Sequence, residues 1–124
     1  MSAEANVLVD PLAIPVDLSL EEVAQGFAAL GSEARLAVVL CLVKAGTGGL
    51  TIGDIQERTG MAPSTLAHHL RFLSQGGLIL QEKQGRSVVN RASFDHLAAL
   101  GGYLLKECCA DEQKCGETEH GDDQ

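Results

Sequence analysis

Three cysteines near one end of the sequence carry its most distinctive chemistry. Cys108 and Cys109 are adjacent and Cys115 follows, in a stretch otherwise made of Glu, Asp, Gln, Lys and Ala. Three soft sulfur donors this close together can close around one thiophilic ion. Adjacent cysteines make poor partners for an ordinary disulfide, and in a reducing compartment thiols read better as ligands or reactive groups than as a framework. Zinc would want a fourth donor. A small thiol-dependent reductase is a more distant alternative, because a catalytic cysteine needs a helix N-terminus, a cation or an anion-binding loop to favour thiolate. These cysteines follow a helical pattern and sit among carboxylates, so no enzyme is expected. Incidental tail cysteines are the bland reading. Cys41 stands apart in an apolar run, where a cysteine acts as a small hydrophobe.

The elements that must position these thiols are mostly helical. At 124 residues the chain supports one domain, and with 3% aromatics and no Trp its core must come from Leu, Val, Ile and Ala. The longest apolar run, Leu36 to Val43, is far below the roughly 20 residues of a membrane span. The first 18 residues hold no Lys or Arg, hence no basic start of a signal peptide. A soluble, cytoplasmic protein without membrane partners is expected.

Residues 1–18, with Pro11 and Pro15, read as an extended arm. Ser19 with Glu22 has capping-box spacing for a first helix, ended by Gly31; Ser32 caps a second, apolar on nearly every side and therefore expected to be central and buried. Thr51 with Asp54 opens a third helix, ended by Gly60. Pro63 suits the start of a fourth, which runs to about Gln75. Leu78–Lys83 and Ser87–Ala92 flank a glycine-containing tip and read as a hairpin. A last helix is expected from about Ser93 to Cys108. The domain then covers 19–110, and 111–124 is an acidic tail carrying Cys115.

The net charge of -8 argues against nucleic acid until its distribution is read. From Glu107 onward seven acids oppose Lys114, giving -6, whereas between Gly60 and Ala92 Arg71, Lys83, Arg86 and Arg91 oppose Glu82, giving +3. On a wheel of about 100° per residue, Leu66, His69, Leu70 and Leu73 share one face of the fourth helix. Ser64, His68, Arg71 and Gln75 fall opposite, with Thr65 to one side. Short polar groups for base edges followed by a cation for phosphate suit a major-groove reader, although a solvated helix face has the same composition. Lys83 and Arg86 on a projecting hairpin add phosphate or minor-groove contacts and complete a winged helix-turn-helix. His68 and His69 point about 100° apart and cannot share an ion.

FAALGSEARLAVVL (27–40), LTIGDIQERTGMAPSTLAHHLRFLSQGGLI (50–79) and QGRSVVNRAS (84–93) resemble the ArsR/SmtB family of metal-responsive winged-helix repressors. The resemblance implies a mainly α fold with a small β-hairpin, a homodimer built on the first and last helices, and double-stranded operator DNA released on inducer binding. Ala62 stands where the family often has a Ser cap, and Ala67 replaces a common polar residue, which shifts weight to Ser64, Thr65 and His68.

The family's third-helix arsenite site, on a CVC-type motif, has no counterpart, since Thr51, Ile52 and Gly53 occupy that place. Its last-helix zinc site needs Asp and His at a spacing that adjacent Asp95 and His96 do not provide. The remaining pattern, Cys108, Cys109 and Cys115, is similar to that of members sensing trivalent arsenic, As(III), and possible also for Sb(III), through three thiolates in a pyramid. The expected function is a metalloid-responsive repressor. On a regular helix reaching Cys108 the two adjacent thiols diverge by about 100°, so binding is expected to bend the helix and shift the dimer angle. The alternative within the family is a persulfide-sensing repressor pairing Cys41 with Cys108 or Cys109.

Overall fold

The computed structural model describes residues 17–112. The expected arm and acidic tail, with Cys115, lie almost wholly outside the described residues. Helix α1 (Leu20–Leu30) starts at the capping box: Glu22 N–H donates to Ser19 Oγ at 3.1 Å and Ser19 N–H to Glu22 Oε1 at 2.9 Å. Helix α2 (Glu33–Ala45) is capped by Ser32. Strand β1 (Leu50–Thr51) leads directly into α3 (Ile52–Thr59), where Thr51 and Asp54 exchange the same pair of bonds, each 3.2 Å long. Gly60 ends α3 in the left-handed region at φ 77°, and Pro63 opens α4 (Pro63–Gln75).

The hairpin consists of β2 (Ile79–Gln84) and β3 (Ser87–Ala92), antiparallel from Ile79↔Ala92 to Gln84↔Ser87. Its turn is Gly85-Arg86, with Gly85 at φ 63°, the residue a two-residue turn of this kind needs first. β1 pairs with β3, Leu50 facing Asn90, so the sheet has three strands in the order β1-β3-β2. Gly49 makes that third strand possible: at φ 74°, a Cβ there would lie 2.6 Å from the Asn90 carbonyl oxygen. The last helix, α5, spans Phe94–Leu105.

The core joins Val23, Val38, Leu42, Ile55, Leu66 and Leu100 with neighbours from every helix and the hairpin base. Two expectations need correction. Helix α2 is not buried all round: Val38, Val39 and Leu42 face the core, but Leu36, Leu40 and Val43 remain 41%, 51% and 38% exposed. Helix α5 does not reach Cys108. It ends at Leu105, after which Cys108 N–H bonds to the Leu105 carbonyl at 2.9 Å and Ala110 N–H to Glu107 at 3.0 Å, a tighter three-residue winding. The apolar stripe of α5 divides accordingly. Leu100 is buried, whereas Leu104 and Leu105, with Leu20 of α1, are among the most exposed large apolar side chains. Among the described residues no single helix is long and apolar enough to cross a membrane.

Candidate nucleic-acid interface and thiol site

Helices α3 and α4 meet across Gly60-Met61-Ala62, a turn short enough to hold them as a helix-turn-helix. Leu66, Leu70 and Leu73 anchor α4 in the core, each at most 2% exposed. Ser64, Thr65, His68 and Arg71 are therefore left on the outer side, all exposed, with Ala67 between them. Ala62 offers no side-chain cap, so the first N–H groups of α4 have no side chain bound at that end.

The hairpin stands beside this helix. Between α4, the start of α3 and the hairpin lies a groove of about 520 Å³, lined by Thr51, Gly53, Ala67, Gln81, Arg86 and Ser87 among others. Arg86 of this lining is exposed, as is Lys83 on the adjoining part of β2. Arg91 is not equivalent to them. Its guanidinium pairs with Glu82 across the hairpin and donates to the Thr47 carbonyl at 2.8 Å. The basic surface of this segment thus reduces to Arg71, Lys83 and Arg86.

Two residues that sequence reasoning left unassigned hold the parts together. Asn90 is 1% exposed, donates to the Leu50 carbonyl at 3.2 Å and accepts from Gln81 Nε2 at 2.7 Å. A buried amide satisfied on both sides fixes β1, and hence α3, to the hairpin. Arg35 Nε donates to the Ala29 carbonyl at 2.7 Å, and its guanidinium lies 4.2 Å from the centre of the Phe72 ring. It pins α4 to the corner between α1 and α2. The signal for Asn90 was a polar residue in step with inward-facing Ala92; for Arg35 there was none beyond an acceptor-rich helix end.

His69 turns inward as its wheel position implies, its Nδ1 buried with no partner. Burial first, then the Arg35 guanidinium and His68, holds its pKa below the ordinary histidine value. His68 stays exposed, the two ring centres 6.1 Å apart. His96 also points inward: a Cβ on Gly77 would lie 3.0 Å from its ring, and its Nε2 is buried.

Cys108 and Cys109 occupy the turn beyond α5; Cys108 is a free thiol, whereas Cys109 is disulfide-bonded. Cys108 and Cys109 are exposed, and their sulfurs lie 3.4 Å apart. Cys109 adopts φ 60°, the left-handed region that a side chain other than glycine enters at a cost. The expected 100° divergence does not arise, because the backbone here is no longer helical. Cys115, the expected third donor, lies outside the described residues. Cys41 is half-buried on α2.

A family model described as a helix-turn-helix domain matches residues 30–82. The HTH-type transcriptional regulator NmtR of Mycobacterium tuberculosis is 34% identical over 79 residues, which make up 64% of this chain and 63% of that protein. The chain therefore spans less than two thirds of that relative. The arsenical resistance operon repressor of Escherichia coli is 32% identical over 90 residues, 73% of this chain and 74% of that protein. A solved homodimeric winged helix-turn-helix DNA-binding domain from Mycobacterium bovis superposes with a TM-score of 0.57 at 25% identity, covering 75% of this chain and 92% of that one.

Proposed function

The chain belongs to the ArsR/SmtB family of winged-helix transcriptional regulators, and from that membership we propose that it is a cytoplasmic, metalloid-responsive repressor. It binds operator DNA as a homodimer and lets go when Cys108, Cys109 and Cys115 bind trivalent arsenic or antimony. It is a DNA-binding regulator and not an enzyme. The observation that carries the inducer is the exposed turn, bent by a left-handed residue, on which Cys108 and Cys109 sit together, the latter acting as a ligand once reduced. Unusual backbone of this kind concentrates at functional sites. The arsenical resistance repressor among the relatives supports the same ligand class.

DNA recognition rests on Ser64, Thr65 and His68 at base edges, and on Arg71, Lys83 and Arg86 at phosphates. The exposed Leu20, Leu104 and Leu105 supply the apolar contacts of a dimer through α1 and α5. Release follows from adjacency. The thiol turn begins one residue after Leu105, so drawing Cys115 onto the Cys108–Cys109 pair pulls on the last turn of α5, where those dimer contacts lie. A shift there changes the separation of the two recognition helices and penalises the DNA-bound arrangement.

A gel-shift titration under reducing conditions tests this reading. Arsenite releases the wild-type protein from its operator, and Cys108→Ser or Cys115→Ser raises the concentration required by at least about tenfold, a loss of about 1.4 kcal/mol. A normal response from either variant places the sensor elsewhere.

A further inference from the structure

The exposed side of α2 is used by neither the DNA contacts nor the cysteine chemistry described above. Leu36, Leu40 and Val43 recur at helical spacing on one face, with Ala37 exposed beside them. This face runs into a groove of about 470 Å³ between α2 and the end of α3, lined by Leu40, Cys41, Lys44, Arg58, Thr59 and Met61 together with Ala37. Its floor is apolar and its rim carries two cations, Lys44 and Arg58. Among the described residues neither cation has an ion-pair partner.

A groove of this kind selects a segment that is both apolar and acidic. Residues 1–16 have that composition. Val7, Leu8, Val9, Leu12, Ile14 and Val16 supply apolar side chains, Glu4 and Asp10 supply carboxylates, and there is no Lys or Arg. The acidic residues 113–124 match the rim but not the floor, having no apolar side chain besides Cys115. A second copy on a two-fold axis would set Lys44 and Arg58 against their own kind. Reach is ample. The segment joins the fold at Leu18, which packs on the core, and sixteen residues can span about 50 Å, against about 30 Å for the width of a small domain. Pro11 and Pro15 restrict the unbound chain and lower the entropy lost on docking.

We propose that residues 1–16 dock in the groove between α2 and α3, covering Leu36, Leu40 and Val43 and setting Glu4 and Asp10 against Lys44 and Arg58. Docking also covers Cys41, which lines the groove, and so provides the readout. In a Cys108→Ser, Cys109→Ser, Cys115→Ser background Cys41 is the sole thiol, and its alkylation by iodoacetamide can be followed by mass spectrometry.

Leu8→Asp with Leu12→Asp in the full-length chain is expected to speed alkylation at least about tenfold, and removal of residues 2–16 to do the same, with the thermal midpoint showing that both variants stay folded. Raising the salt concentration gives a smaller increase in the parent, through the ion pairs alone. Equal rates in the parent and the double variant overturn the proposal. So does protection that survives removal of residues 2–16 and grows with protein concentration, which would assign the groove to a second copy.

Discussion

The side-chain amide of Asn90 donates to the main-chain carbonyl of Leu50 at 3.2 Å, joining the hairpin to the two-residue strand that feeds α3. This bond sits where almost no water reaches, and it connects the two elements on either side of the groove beside α4. Losing it leaves the Leu50 carbonyl and the Gln81 amide without that partner. Asn90→Ala is therefore expected to cost about 1–3 kcal/mol of stability and to weaken operator binding beyond what the stability loss explains. Denaturant unfolding together with DNA titration well below the melting range checks both parts. Unchanged affinity in the folded variant would mean that the hairpin is held by its ladder alone.

Arg35 makes a second link of this kind, from the α1–α2 corner to α4. Its guanidinium both donates to the Ala29 carbonyl and covers the Phe72 ring. A lysine keeps the charge but loses the planar fork. Arg35→Lys is expected to cost about 1–2 kcal/mol, and a double-mutant cycle with Phe72→Leu to return a coupling of about 0.5–1 kcal/mol. Additive losses would show that the stacking contributes nothing.

His69 gives the fold a pH dependence whose sign can be worked out. Burial, then Arg35, then His68 lowers its pKa in the folded chain below the ordinary value of 6.5. Below that value the unfolded chain binds the proton more readily than the folded one. The stabilisation is therefore complete above about pH 6.5 and declines as the pH falls through the lowered folded pKa. Thermal midpoints from pH 7.5 to pH 5 should fall for the wild type and fall less for His69→Gln. Parallel curves would locate the acid sensitivity in other groups.

How much of this was legible in the sequence depends on the range of the interaction. Ser19 with Glu22, Thr51 with Asp54, Pro63 and Gly85 all set backbone geometry within four residues, and each was readable at its place. The strand Leu50–Thr51 was not, because its partner Asn90 is forty residues away and two residues show no alternation. The end of α5 was misplaced because Lys106, Glu107 and Cys108 include no glycine or proline to stop a helix. The burial of α2 was overestimated for a related reason. A wheel shows that Leu36 and Leu40 are apolar, but not whether anything packs against them. At the candidate site, the outward side of α4 could be read from Leu66, Leu70 and Leu73, whereas the approach of the Cys108 and Cys109 sulfurs depends on the left-handed turn at Cys109, which no neighbouring residue type announces.

The three arginines between Gly60 and Ala92 look alike in sequence and separate in the structure. Arg71 and Arg86 are exposed on α4 and at the hairpin tip, whereas Arg91 is engaged by Glu82 and the Thr47 carbonyl. Each phosphate contact releases about one counterion, so removing one flattens the dependence of affinity on salt in a countable way. Arg71→Ala and Arg86→Ala should each lower the salt slope by about one per subunit, or about two per dimer. Arg91→Ala should leave the slope as it is and instead lower stability by about 1 kcal/mol, through the lost carbonyl bond and a partly exposed ion pair. Fluorescence anisotropy with operator DNA at several potassium chloride concentrations separates the two classes. If Arg91→Ala flattens the slope as much as Arg86→Ala, then Arg91 leaves Glu82 for the phosphate on binding, and the basic surface is larger than the DNA-free chain displays.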